Sequence, residues 1–319
     1  MLHDDDVDPE IRDWLDQMFA SAAALGVGPH LSLAERRALA ERQRAPWVVG
    51  GPAMFTSHDL VVDDKAVRIR IHRPVDAPDL PVLVYLHGGG WTLFSIDTHD
   101  RLMREYAARA GCAVLGIDYS LSPEHRFPRA LEDIDAVLSW LAINGADFGL
   151  DAARYAIGGD SAGANLALAT AIRLRDEGKM GPSALLLNYG AFDGGHRPSY
   201  ARYGDETRYM LTGPEMDAFW TSYLGSETCD SPLARPLHAL LDGLPRCWLC
   251  VAQCDILLDE NVEMADRLAA ANVPCDIRIY EGATHSFLEA VQISRIANKA
   301  LADASAWLSK TLNIEPTAR

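Results

Sequence analysis

The chain has 319 residues, 49% of them hydrophobic and 23% charged, and its 29 Lys and Arg stand against 45 Asp and Glu for a formal net charge of −16. That length is ample for a sizeable core and fits one large domain or two small ones. The acidic surplus argues against nucleic acid or an anionic membrane as the main partner, because phosphate surfaces would repel it. The opening "MLHDDDVDPE" is acidic where a secretion signal needs a basic, then apolar, run, and no segment approaches the roughly 18 uninterrupted apolar residues of a membrane helix. A cytoplasmic protein with reduced thiols is the expectation for its six scattered cysteines.

Two amphipathic helices are predicted to open the chain. Ile11, Trp14, Leu15, Met18 and Phe19 follow helical spacing, and Ser32-Leu-Ala-Glu35 is a capping-box signature. Two strand-like runs, "HDLVVDD" and "AVRIRIHRP", follow, with a turn at Asp63-Asp64-Lys65. From Pro81 onward, apolar strand cores alternate with helical segments: "PVLVYLH", "CAVLGIDY", "RYAIGGD", "ALLLNYG", "CWLCVAQCD" and "CDIRIYEG", with helices over 99–110, 129–143, 162–178, 261–272 and 294–311. Near-continuous apolar strands between helices mean a mostly parallel sheet covered on both faces. The fold class is therefore α/β, with about eight strands and the first two antiparallel at one edge. Residues 191–245 break the alternation and hold one clear helix, near 213–223. An insertion at the carboxyl end of a parallel strand lies where such folds bind ligands. Residues 1–45 and 191–245 are expected to form a cap over a core made of 46–190 and 246–319.

Cys247-x-x-Cys250 has the spacing of half a zinc site, but it falls on a predicted strand, where residues three apart face opposite ways. No second cysteine pair accompanies it, and no metal is expected.

Four pieces carry chemistry. The first is Gly159-Asp160-Ser161-Ala162-Gly163, between the strand "RYAIGGD" and the helix "AGANLALATAIRLRD". On its own Ser161 could be a helix N-cap. A strand-to-helix turn with small neighbours is also what a nucleophile elbow requires, and the Ala162 N–H opens the helix, where an oxyanion is favoured. The second is His87-Gly88-Gly89-Gly90-Trp91, after the strand "PVLVYL". Consecutive glycines let backbone N–H groups face a developing alkoxide, while the P-loop and dinucleotide patterns are absent. Asp255 and His285 each follow a strand, in the chain order Ser, Asp, His. A serine hydroxyl needs a histidine to take its proton and a carboxylate to orient that histidine. The order and placement of the four together point to Ser161 as nucleophile. Asp259 and Glu260, which lie where the next helix begins, are expected to serve that helix's N-terminus. Trp91 and Phe287 are candidates for a wall closing the acyl pocket.

In "YLHGGGW", "GIDYSLSPEHRFP" and "GGDSAGAN" the sequence resembles the bacterial branch of the hormone-sensitive lipase family of serine esterases, and "FSIDTHDRLMREYA" looks most like its acetyl esterases. The resemblance runs from about Pro81 to Phe287. It implies an α/β-hydrolase fold with a helical cap and cofactor-free cleavage of a small-molecule ester with a short acyl chain through an acyl-enzyme. It also implies an oxyanion hole of Gly89, Gly90 and Ala162, with Gly88 as an alternate donor, and a homodimer formed edge to edge through the last strand. An amidase such as an aryl formamidase could use the same machinery. A ligand-binding receptor of this fold is disfavoured, because receptors related to this family lack the histidine that stands here as His285. Two positions depart from the family's pattern: Ile256 replaces the proline after the acid, and Ser120 the arginine after Asp-Tyr.

Overall fold

The computed structural model describes residues 6–28, 31–62, 66–204, 207–225 and 229–314. The turn expected at Asp63-Asp64-Lys65 lies outside the described residues. Eight strands form one sheet among them: β1 (Thr56–Val62), β2 (Val67–Arg73), β3 (Leu80–Leu86), β4 (Ala113–Asp118), β5 (Leu150–Asp160), β6 (Ala184–Asn188), β7 (Arg246–Cys254) and β8 (Cys275–Thr284). Their order is β1-β2-β4-β3-β5-β6-β7-β8. β1 and β2 pair antiparallel, as do β2 and β4, and every pairing from β4 through β3 to β8 is parallel. Every residue of β3 and β6 is buried, as a strand covered on both faces requires. In β2 the alternation of Val67, Ile69 and Ile71 with Arg68 and Arg70 leaves the arginines to pair with Asp59 and Asp97.

The helices are α1 (Pro9–Leu25), α2 (Leu33–Val48), α3 (Asp100–Ala110), α4 (Arg129–Asn144), α5 (Ala162–Asp176), α6 (Pro198–Tyr203), α7 (Gly213–Leu224), α8 (Leu258–Ala270) and α9 (Arg295–Thr311). α3 packs with α9, and α4 with α5. α1 starts at an Asp8 N-cap followed by proline, ends at a left-handed Gly26, and buries Ile11, Trp14, Leu15 and Met18. The capping box of Ser32 and Glu35 opens α2, which runs to Val48, past the expected border at 45. The Asp8 N–H donates to the Gly282 carbonyl (3.0 Å), so the first helix is tied to β8, just ahead of His285. Phe19, the last residue of the predicted stripe, stays half-buried against the core.

The α6 helix had no apolar period to announce it. Its Ser199 N–H donates to Asp259 Oδ2 (2.7 Å), and Ser199 Oγ donates to the Ile256 carbonyl (2.8 Å). Both Asp259 and Glu260 lie in the first turn of α8, as expected, but the capping part of the expectation is corrected. Neither caps its own helix, whose N-cap position is Leu257 with no side-chain cap. Asp259 receives α6, and the buried Glu260 accepts the Phe192 N–H at 2.7 Å.

Candidate active site

The chain turns from β5 into α5 at Ser161, with φ 54° and ψ −117°, a conformation that side chains other than glycine rarely adopt. Three contacts hold it there. The Ser161 N–H donates to the Asn188 carbonyl of β6 (2.9 Å), and its carbonyl accepts from Asn165 N–H (3.2 Å) and Ala191 N–H (3.3 Å). Its neighbours must be small: a Cβ on Gly159 or Gly163 would strike the Leu86 carbonyl at the end of β3. The strain therefore lifts the Ser161 hydroxyl above the carboxyl edge of the sheet, with α5 starting behind it.

His285 Nε2 lies 2.9 Å from Ser161 Oγ, and Asp255 Oδ2 lies 2.7 Å from His285 Nδ1. Asp255 directly follows β7, and its second oxygen accepts the Leu257 N–H at 3.0 Å. His285 directly follows β8, and the left-handed Ser286 turns the chain away behind it. Tyr189 packs edge-on against the imidazole, with ring centres 5.1 Å apart. All three polar residues are buried: Asp255 is 1% exposed, His285 5% and Ser161 6%. The three residues chosen from the sequence are thus brought into one hydrogen-bonded line.

The glycine loop lies beside them. Gly89 and Gly90 have φ of 111° and 59°. A Cβ on Gly89 would meet the Leu93 carbonyl, and one on Gly90 would enter the Phe219 ring. Among the described residues the N–H groups of Gly89, Gly90 and Ala162 donate to no protein acceptor, whereas Gly88 N–H is taken up by Asp160 Oδ1 at 3.1 Å. The alternate donor Gly88 is therefore engaged elsewhere. His87 faces away from the serine. Its ring stacks on Tyr119 (4.3 Å between centres), its Nδ1 meets the Gly88 carbonyl at 2.7 Å, and burial together with His99 drives its pKa down to about 3. It is a neutral strut under the loop.

Above Ser161 and His285 lies a cavity of about 450 Å³, within the range of small-ligand sites. Gly89, Gly90, Ser161 and His285 form its floor; Phe19, Arg44, Phe94, Met210, Met216 and Phe219 are among its walls. The wall expected from Trp91 and Phe287 is corrected here. Trp91 is 1% exposed and stacks face to face on Tyr223 (4.3 Å, 4°), and Phe287 is fully buried against Tyr189 and Tyr280. Neither reaches the cavity. Met210 comes from the irregular stretch before α7, where the sequence offers no period, while Met216 and Phe219 lie on α7 itself, whose apolar residues Met216, Phe219, Trp220 and Tyr223 follow helical spacing.

The described residues include no cluster of three or more His, Cys, Asp or Glu placed to hold a metal ion, and no helix long and apolar enough to cross a membrane. Cys247 and Cys250 are both unpaired and buried in β7.

A single eight-stranded sheet of this order, with a serine elbow after β5, defines a hydrolase of the α/β class. Residues 83–289 match the family described as alpha/beta hydrolase fold. Among solved structures the chain is similar to a hyperthermophilic esterase from the archaeon Pyrobaculum calidifontis, with 32% identity, TM-score 0.88, and coverage of 95% of this chain and 98% of that one. It is also similar to a thermophilic carboxylesterase cloned from a metagenomic library (30%, TM-score 0.86, 91% and 100%) and to an esterase of the bacterial hormone-sensitive lipase family (29%, TM-score 0.82, 96% and 99%). The chain belongs to the α/β-hydrolases and, within them, to the hormone-sensitive lipase family of bacterial esterases; it is a carboxylic ester hydrolase.

Proposed function

We propose that this hydrolase cleaves small esters with short acyl chains through an acyl-Ser161 intermediate, without a cofactor. The observation that carries the reading is the line from Ser161 Oγ through His285 to Asp255, at 2.9 and 2.7 Å, on the floor of the cavity. His285 Nε2 takes the hydroxyl proton as Oγ attacks the ester carbonyl carbon. Asp255 holds the proton on Nδ1 and balances the imidazolium that forms. The oxyanion of the tetrahedral intermediate is received by the N–H groups of Gly89, Gly90 and Ala162, which have no other acceptor among the described residues. Collapse breaks the bond to the alcohol oxygen, and His285 returns the proton to it. Water then attacks the acyl-enzyme with His285 again as base, releasing the acid and restoring the serine. The described residues within 1–45 and 191–245 act as the cap, since they supply most of the upper cavity wall.

A serine-directed phosphonate is expected to add one label per chain, recovered by peptide mapping on the segment holding Gly159–Gly163. A label elsewhere, or none on active protein, removes the acyl-enzyme route. The short-chain preference is supported by Phe94 and Phe219, whose rings stand against Gly89 and Gly90 and narrow the space beside the attacked carbonyl. Acetyl and butyryl esters should therefore turn over faster than chains of about eight carbons at equal monomeric concentration, each added methylene beyond the available space costing packing. Faster cleavage of the long chains is the contrary result.

A further inference from the structure

Asp160 precedes the nucleophile, is 2% exposed, and has no part in the steps above. A carboxylate sealed so completely has to be paired and hydrogen-bonded. Tyr85 hydroxyl (2.8 Å) and Gly88 N–H (3.1 Å) both donate to its Oδ1, and His99 Nε2 lies 3.3 Å from Oδ2.

The protonation of His99 follows from the opposite side of its ring. Thr98 Oγ1 has one hydrogen, and it donates that hydrogen to the Ser95 carbonyl at 2.8 Å. The same oxygen accepts the Ser95 N–H at 3.1 Å. Toward His99 Nδ1, 2.9 Å away, the hydroxyl can then only accept, so Nδ1 carries a proton. Nε2 faces a carboxylate and carries one too. With both ring nitrogens so placed, the arrangement fits an imidazolium at a site only 2% exposed.

We infer that the buried His99–Asp160 ion pair is the positioning element of the oxyanion loop: the protonated imidazole keeps the carboxylate ionised, and the carboxylate fixes Gly88, from which Gly89 and Gly90 follow in the chain. Neither side chain touches substrate. The inference rests on the oxyanion role proposed for those two glycines.

The surrounding charges fit. Burial works against the charge on His99, but Asp160 outweighs it and raises the imidazole above its usual value. Burial likewise opposes the charge on Asp160, and the charge and hydrogen bond of His99 hold it below the ordinary carboxylate range. The neighbours that act on the pair are the neutral His87, Tyr85, Tyr106, Tyr119 and Tyr189, the half-buried Glu41 of α2, and the paired Arg44 and Glu289, whose charges act oppositely on His99. A raised histidine adds stability that is lost as pH climbs through its folded value, and a depressed carboxylate adds stability that is lost as pH falls through its own. The pair is intact between those limits, and its failure on the alkaline side costs turnover.

His99→Gln leaves a donor for Asp160 but no charge. It should lower kcat about 10²-fold, the scale of a small misplacement of catalytic groups, with KM within about threefold, and it should abolish the alkaline fall in kcat. Thr98→Val removes the acceptor for Nδ1–H and should move that fall to lower pH. Nitrogen-15 spectra of labelled histidine should show a doubly protonated ring that persists to higher pH than an ordinary imidazole and is lost in His99→Gln. Phosphonate labelling of Ser161 in each variant keeps a failure of the acyl-enzyme route distinct from a failure of this inference. Folded His99→Gln with kcat within threefold of the parent, or an alkaline limb that Thr98→Val does not move, overturns it; should His99→Gln not fold, Thr98→Val and the spectra decide.

Discussion

Asp255→Asn is expected to lower kcat by about 10³–10⁴-fold while the protein stays folded. The reason is a tautomer. Asp255 Oδ1 already accepts the Leu257 N–H at 3.0 Å, so the amide oxygen of Asn would keep that bond and turn its NH₂ toward His285 Nδ1. Facing a donor, Nδ1 must accept, and the single imidazole proton moves to Nε2. There it points at Ser161 Oγ, the atom whose proton His285 has to remove. The carboxylate that would balance the imidazolium disappears in the same change. Asp259→Asn is the control. Asp259 Oδ2 accepts the Ser199 N–H of α6, a bond that an amide oxygen also accepts, and kcat should stay within about tenfold. Steady-state kinetics on both variants, with circular dichroism to confirm folding, give the comparison. The reverse pattern in two folded variants would transfer the orienting role to Asp259.

The parts that were legible in the sequence are those where chemistry or strand burial allows few residue types. Ser161 stands out because a strained strand-to-helix turn leaves room only for glycine or alanine around it, and Gly159, Ala162 and Gly163 satisfy that at fixed spacing. β3 and β6 were readable because strands covered on both faces have to be apolar throughout. Aromatic placement was not readable. Trp91 follows the glycine loop directly, yet its ring direction is set by Tyr223 and Trp220 of α7, well over a hundred residues away in sequence. Phe287 stands two residues after His285, but Tyr189 and Tyr280 draw it inward. The acidic start of α8 misled for a related reason. A local rule places Asp259 and Glu260 in the first turn of their own helix, where they do stand, but also makes them its caps, and there a distant segment, 192–199, takes their hydrogen bonds instead. Asp160 did leave a trace that went unused: a charged residue ending the apolar run "RYAIGGD" requires a buried partner, and His99 is that partner.

Gly90→Ala is expected to reduce kcat by about 10²–10³-fold, the scale of losing one preorganised oxyanion donor. Two effects act together. Gly90 sits at φ 59°, where an L side chain is strained, and its Cβ would occupy the Phe219 ring on α7. Because Cγ, the ring carbon nearest the backbone, is among the atoms struck, turning the ring about χ2 cannot clear the space: either the whole ring swings about χ1 or the loop withdraws from the oxyanion position, and the loss of kcat expected here is that of the second course. The two effects are separable. Phe219→Ala removes the steric part, so the double variant Gly90→Ala/Phe219→Ala should recover to within about tenfold of Phe219→Ala alone, the remainder being the 1–2 kcal/mol of left-handed strain. Gly178→Ala carries the same strain without the clash: its φ is 64°, its Cβ would meet nothing within 4 Å, and it lies just past α5, away from the loop. That variant should lose about 1 kcal/mol of stability by thermal or denaturant unfolding and keep the parental kcat. If Gly90→Ala alone retains kcat within threefold of the parent, the Gly90 N–H is not a donor to the oxyanion, and Gly89 and Ala162 carry that role between them.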